Sequence, residues 1–176
     1  MARLERYISV GQKRLRCGYP TGTCAAAAAR GAAERLLTGR WPAAVIVDTP
    51  AGVPVEAELL ERSGGTDWAA CAVRKDGGDD PDATDGALIF VRVERRETPG
   101  IQIEGGQGVG RVTRRGLDQP VGAAAINSTP RRMIREQLEA ALSRAAETCG
   151  LLATVSVPQG EALAAKTFNP RLGIVG

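Results

Sequence analysis

Histidine is absent from the 176 residues. That removes imidazole as general base, as metal ligand and as a member of a Ser-His-Asp or Cys-His dyad, so any chemistry rests on carboxylates, cations, thiols or positioning. Aromatic residues are scarce, with two each of Trp, Tyr and Phe, which argues against a single-strand nucleic-acid reader built on stacking platforms. No apolar run approaches the ~18 residues of a membrane helix. The alanine run Ala25 to Ala29 is too short and too weakly hydrophobic to insert. The four cysteines, Cys17, Cys24, Cys71 and Cys149, lack CxxC spacing and follow no leading signal peptide. They read as reduced thiols in a cytoplasmic protein rather than as a zinc knuckle or disulfide framework. Net charge is only +3, with basic residues spread among acids. That balance suits anionic small molecules as well as nucleic acid.

What is present is 43% hydrophobic residues, enough for one well-cored domain. Residues 1–14 read as a lead-in arm. A first helix is expected over Thr23 to Thr38, with Thr21 and Thr23 as caps and Gly39 as its stop. Val45 to Asp48, the turn Thr49-Pro50-Ala51-Gly52 and the alternating Val53, Val55, Ala57 and Leu59 predict a two-stranded antiparallel unit. Ala69, Cys71 and Val73 alternate on a further strand, and Ala87 to Val93 is apolar on both faces, as a central strand is. A short strand around Ile101 and Ile103 follows. Pro130 suits the first turn of a second helix carrying Ile134, Leu138, Ala141, Leu142 and Ala145, which Gly150 ends. Leu151 to Val157 is a last strand, Gly160 to Lys166 a short helix, and the final residues enter a strand that is cut off. The order does not alternate strand and helix, so the expected fold class is α+β: a two-layer sandwich of a mixed, mainly antiparallel sheet with helices on one face.

Three stretches carry candidate chemistry. Between two strands lies Lys75-Asp76-Gly77-Gly78-Asp79-Asp80-Pro81-Asp82-Ala83-Thr84-Asp85, with five aspartates in ten residues. Like charges so close need a cation, backbone amides or a donor-bearing ligand between them. An EF-hand register fails, because counting from Asp80 puts Asp85 at the glycine position and Val91 at the glutamate position. The stretch is either a binding loop or a solvated acidic turn. The second stretch, Gly105-Gly106-Gln107-Gly108-Val109-Gly110-Arg111-Val112-Thr113, has GGxGxG spacing and opens no helix, so a dinucleotide fingerprint does not apply. Its amides, with Arg111, Arg114 and Arg115, suit carboxylates or phosphates; a solvated bend explains it equally. The third, Thr21-Gly22-Thr23-Cys24, sets hydroxyls and amides at a helix start, as an anion seat or a plain cap. Arg131 and Arg132 begin the second helix, where positive charge opposes the helix dipole and hints at an external anion.

In order along the chain, Leu15-Arg16-Cys17-Gly18-Tyr19-Pro20-Thr21-Gly22-Thr23-Cys24, Lys75 to Asp82, Gly105 to Thr113, Pro130-Arg131-Arg132-Met133-Ile134 and Phe168-Asn169-Pro170-Arg171-Leu172-Gly173-Ile174-Val175-Gly176 resemble the cobalt-precorrin-5B C1-methyltransferase family, CbiD. The sequence departs from the usual pattern at Pro20, Gly77 and Gln107. The resemblance implies transfer of a methyl group from S-adenosylmethionine to C1 of cobalt-precorrin-5B, giving cobalt-precorrin-6A, in oxygen-independent cobalamin biosynthesis. It implies a permuted ribosomal-S5-domain-2-like first domain over residues 15–167. Residues 168–176 would start a linker to a Rossmann-like second domain that is absent here and is the main seat of the methyl donor.

The implied catalytic residues are Asp76, Asp79 and Asp80. The implied substrate-binding residues are Thr21, Gly22, Thr23, Lys75, Asp82, Gly105, Gly106, Gly108, Gly110, Arg111, Thr113, Arg131, Arg132, Asn169 and Arg171. Cobalt would enter only within the corrinoid substrate, with no metal site, nucleic acid or membrane partner. The contrasting expectation, a non-catalytic α+β module for RNA or another polyanion, requires the arginines to gather on one face. A metal-dependent hydrolase using the aspartates requires a tightly bound divalent ion.

Overall fold

The computed structural model describes residues 7–10, 12–79, 85–160 and 174–175. Its elements are β1 (Tyr7–Val10), β2 (Lys13–Arg16), α1 (Thr21–Thr38), β3 (Val45–Asp48), β4 (Pro54–Ala57), β5 (Leu60–Gly64), β6 (Trp68–Arg74), β7 (Leu88–Arg96), β8 (Ile101–Gly105), β9 (Arg111–Val112), α2 (Ser128–Ala145), β10 (Gly150–Ser156) and β11 (Ile174–Val175). Five strands form the main sheet in the order β5-β6-β7-β10-β8. Neighbours run antiparallel except β8 and β10, which are parallel and joined through α2. The chain is therefore α+β with a mixed, mainly antiparallel sheet.

One face of the sheet carries Ala69, Cys71 and Val73 of β6, Ile89, Val91 and Val93 of β7, and Leu151, Ala153 and Val155 of β10, all buried. Both helices lie against this face. The Cys71 thiol donates to the Ala28 carbonyl of α1 at 3.2 Å, a contact that only a helix crossing close over the strand allows. Close approach follows from composition. Ala25 to Ala29, Ala32 and Ala33 are all at most 3% exposed, and an added Cβ on Gly31 would stand 2.4 Å from Leu59 Cδ1. Ile134 and Leu138 bury the inner stripe of α2, each such aliphatic side chain contributing about 1.5–3 kcal/mol. Arg30 of α1 reaches Glu34 at 2.8 Å and Gln137 of α2 at 3.0 Å, tying the two helices at their edge.

Several boundaries differ from the sequence expectation. Helix α1 begins at Thr21, not Thr23, and its N-cap is Pro20, with no side-chain cap bond. The Pro20 ring fixes φ at −60°, and its carbonyl accepts the Thr23 and Cys24 amides at 2.9 and 3.3 Å, so threonine caps are not needed. Helix α2 begins at Ser128 and closes on Ala146 in the left-handed region (φ 53°) rather than on Gly150. Gly150 opens β10 instead, where a Cβ would lie 1.9 Å from the Thr98 carbonyl oxygen. Part of the expected N-terminal arm is strand, since β1 and β2 pair antiparallel from Tyr7↔Arg16 to Val10↔Lys13. Strand β5 was not expected: Leu60-Glu61-Arg62-Ser63-Gly64 lacks alternation, and its pairing with β6 shifts register between Leu60 and Ser63, with Glu61 at φ 49°. The hairpin of β3 and β4 matches its expectation, including the turn bond from Gly52 N to Thr49 O at 2.8 Å. So does β7, which sits third of five in the sheet. The short helix expected over Gly160 to Lys166 falls almost wholly outside the described residues.

Candidate functional site

Sheet register gathers the loops. Arg74 ending β6 pairs with Leu88 starting β7; Gly105 ending β8 pairs with Val155, and Ser156 ending β10 pairs with Phe90. The acidic loop after Arg74, the glycine loop after Gly105 and the chain after Ser156 therefore leave the same end of the sheet. Both helices start there. The Tyr19 amide donates to the Asp76 carbonyl at 2.7 Å just ahead of α1, and Gly22 of α1 lies against Pro130 of α2, where a Cβ would be 2.9 Å from Pro130 Cγ.

A cleft of about 310 Å³ opens at this end, lined by Thr21, Gly22 and Ala25 of α1, Gly108 to Gly110, Ala125 to Asn127, Pro130 and Ile134 of α2, and Val155 and Val157. That is the lower part of the size range of small-molecule sites. The walls are mostly apolar, and among the described residues no carboxylate lines them. Two helix N-termini face it, and neither helix has an acidic residue in its first turn or a side-chain cap bond from its N-cap residue. First-turn amides carry partial positive charge, so this is a surface for negative groups on an otherwise apolar ligand. The glycine loop closes one wall. Gly106 N donates to Val155 O at 2.7 Å and Val157 N to Gln107 O at 2.8 Å. Gly108 (φ 72°) could carry no side chain, because a Cβ would stand 1.8 Å from the Val157 oxygen.

Of the expected site residues, Thr21, Gly22, Gly108 and Gly110 line this cleft. Thr23 does not. It is 1% exposed, and its hydroxyl has no hydrogen-bond partner. Beside it the Cys24 thiol is pushed up to about 12 by burial, opposed by the charge of Lys75. Gly105 and Gly106 stand behind the cleft wall, with Cβ positions blocked by Val109 and by Ser156.

The described residues of the acidic loop, Lys75 to Asp79 and Asp85, do not line the cleft. Asp76 takes the Arg16 guanidinium with both carboxylate oxygens, each at 2.7 Å, and its Oδ1 also accepts the Gly78 amide at 2.9 Å. Asp79 accepts the Arg16 amide at 2.7 Å and returns its own amide to the Arg16 carbonyl at 2.9 Å. Asp85 accepts the Gly77 amide at 2.7 Å. Lys75 continues the buried alternation of β6 at 7% exposure. Asp76, Asp79 and Asp85 are thus each met by Arg16 or by backbone amides. Asp80, Asp82, Asn169 and Arg171 lie outside the described residues.

The cations near the cleft are engaged within the chain. Arg111 pairs with Glu104 at 2.7 Å and reaches the Gly105 carbonyl at 3.2 Å. The Gly105 amide, and then Arg111, hold the Glu104 carboxyl below its usual range. Arg131 donates to the carbonyls of Ile126, Ile103 and Ala124 at 2.8, 3.0 and 3.2 Å. Arg132 is exposed and lies 3.8 Å from Glu136. Thr113 follows β9 and is exposed.

Asn127, which lines the cleft, and Asp118 were not singled out from sequence. Asp118 accepts both the amide and the hydroxyl of Ser128, the hydroxyl at 2.8 Å, and so caps α2 from ten residues upstream. No local pattern signals it, because a capping box places its acid after the cap, not before. The Ser128 hydroxyl, then Gln119, lower the Asp118 carboxyl below its usual value. Among the described residues no group of three or more Cys, Asp or Glu converges to hold a metal ion, and no helix is long and apolar enough to cross a membrane.

The protein is an α+β chain whose loops gather at one sheet end around an apolar cleft, the form small-molecule sites commonly take. It matches the CbiD family model over residues 8–176 and belongs to that family. It is 47% identical over 173 residues to a cobalt-precorrin-5B C(1)-methyltransferase from a Thermoanaerobacter species, covering 98% of this chain and 46% of that protein. It is 50% identical over 165 residues to the protein of that name from Geobacillus kaustophilus, covering 94% of this chain and 44% of the relative. The crystal structure of the cobalamin biosynthesis protein (cbiD) from Archaeoglobus fulgidus superposes with a TM-score of 0.66 at 35% identity, over 97% of this chain and 53% of that one. The chain thus spans about half the length of the relatives it matches.

Proposed function

We propose that this chain forms the substrate-binding half of an S-adenosylmethionine-dependent C-methyltransferase that converts cobalt-precorrin-5B to cobalt-precorrin-6A in cobalamin biosynthesis. The observation that carries the reading is the extent of the likeness, 98% of the chain at 47% identity to a protein named for that reaction. The cleft supports it. A corrinoid precursor is an apolar ring fringed with acetate and propionate groups, which suits aliphatic walls rimmed by helix-terminal amides. Placing donor and acceptor accounts for much of a methyl transfer's acceleration, and that needs no histidine.

Among the described residues no carboxylate lines this cleft to meet ribose hydroxyls or a sulfonium, so the methyl donor fits it poorly. We assign the donor to the length that the relatives have beyond this match, in a Rossmann-like unit. The fold here we read as the permuted ribosomal-S5-like type, and the protein as cytoplasmic. The RNA-binding alternative is not favoured, because Arg131 is taken up by carbonyls and Arg132 sits beside Glu136.

The test is to incubate cobalt-precorrin-5B and methyl-labelled S-adenosylmethionine with the chain alone, and with the chain extended to the relatives' full length. Label should reach ring carbon C1 with the extended protein and scarcely at all with the 176 residues. If the label stays on the donor in both, while the preceding enzymes of the pathway are active in the same mixture, the reading is lost.

A further inference from the structure

Arg131 begins α2 where a cation opposes the helix dipole, yet it does not line the cleft. Its three nitrogens go to three carbonyls: Nε to Ile126 at 2.8 Å, Nη1 to Ile103 at 3.0 Å and Nη2 to Ala124 at 3.2 Å. Ile103 belongs to β8, an edge strand with a sheet partner on one side only. Ala124 and Ile126 flank Ala125, and Ala125, Ile126 and Asn127 form one cleft wall. That wall is also held to β9 by the bridge between Arg111 and Ala124 and by burial of Ala124 and Ile126. Its backbone bonds are Ala125 N to Gly110 O at 2.8 Å, Ile126 N to Ala124 O at 2.7 Å and Arg131 N to Asn127 O at 3.1 Å.

We propose that Arg131 is a positioning residue: its guanidinium joins β8, the start of α2 and segment Ala124–Asn127, and so sets the shape of the cleft, instead of gripping a substrate carboxylate. A guanidinium offers its donors in a rigid planar fork. With Nε–H given to Ile126, the side-on pairing of Nε and Nη2 that meets a carboxylate is gone. Lysine, with one compact ammonium, cannot span three carbonyls at three directions. A positive charge at a helix start, disfavoured by the dipole, is held there by carbonyl oxygens whose own dipoles favour it. Recognition of the ligand's carboxylates then falls to the amides of Thr21, Gly22 and the glycine loop.

The ligand arm of the test rests on the corrinoid reading, and a second arm does not. Equilibrium dialysis followed by visible absorbance would compare two probes, cobyrinic acid with its free carboxylates and its fully amidated form. The proteins are the chain, Arg131→Lys and Arg131→Gln. A positioning role predicts that both variants weaken both probes by a similar factor, about tenfold. Loss confined to the acid form, with the amidated probe unaffected, would show a direct carboxylate contact and overturn the proposal. In the second arm, hydrogen exchange at the Ala125 and Ile126 amides should be faster in both variants; unchanged exchange overturns the proposal whatever the probes do. If the unaltered chain binds neither probe, the substrate reading fails, and exchange alone decides the role of Arg131. Should Arg131→Gln fail to fold, Arg131→Lys carries both arms.

Discussion

Arg16 and Asp76, sixty residues apart in sequence, meet fork to fork, with both guanidinium–carboxylate distances at 2.7 Å and both side chains largely buried. The pair joins the segment leading into α1 to the acidic loop leaving β6. Bidentate charged hydrogen bonds of this kind are stronger than neutral ones. Asp76→Asn and Arg16→Gln should each lower stability by about 2 kcal/mol in urea unfolding. The double variant should fall well short of the sum, because both changes break the same contact. Additive losses would show that the two residues act separately.

The same junction excludes side chains. A Cβ on Gly18 would stand 2.2 Å from the Asp76 oxygen, and one on Gly78 (φ 69°) 2.3 Å from the Arg16 oxygen. Backbone atoms cannot swing away as a side-chain tip does, so Gly18→Ala and Gly78→Ala should each cost at least about 3 kcal/mol, at the severe end for single substitutions. Gly116→Ala serves as the comparison. It has a left-handed φ of 93° but nothing within 4 Å, and should lose only the about 1 kcal/mol of its backbone conformation. Equal effects at the three positions would refute the crowding argument.

Burial sorts the thiols. Cys24 and Cys71 are pushed up to about 12 by desolvation, while Cys17 and Cys149 are only half-buried. The thiolate is the reactive species. Iodoacetamide on the native protein at pH 8, followed by peptide mass analysis, should label Cys17 and Cys149 and leave Cys24 and Cys71 until urea is added. Early labelling of Cys24 would mean that the start of α1 opens in the native state.

Asp118 gives a pH dependence with a defined sign. Its carboxyl titrates lower in the folded chain than in the unfolded one because Ser128 donates to it. The unfolded state therefore takes up its proton first as pH falls. The stabilisation is present above the usual aspartate range near pH 3.9 and is lost as pH drops through the folded value. Asp118→Ala should unfold at a lower temperature than the parent at pH 6, and the gap should narrow by pH 3. A gap that widens in acid would reverse the assignment.

Local patterns made much of the fold legible. Val45 to Asp48, the Thr49–Gly52 turn and Val55 and Ala57 announce their hairpin because alternation and turn chemistry are both short-range. The apolar run Ala87 to Val91 marks the middle of the sheet for the same reason. What stayed hidden depends on distant partners. Strand β5 exists because β6 offers an edge, not because Glu61-Arg62-Ser63 favours one. The acidic loop, the glycine loop and both helix starts were visible one by one. Their meeting depends on β10 inserting between β7 and β8, a fact of sheet order that no single stretch carries. Arg131 illustrates the same limit, since its misplaced charge was legible but its three carbonyl partners were not.

The alanines of α1 have one more effect. Ala25 to Ala29, Ala32 and Ala33 have no rotamers to freeze, so the helix is seated on the sheet by backbone proximity rather than by side chains that choose among conformations. Thr21 and Gly22 ride on that seat. A wall seated in this way leaves a ligand little ordering to impose, so its affinity is little diluted by that entropy.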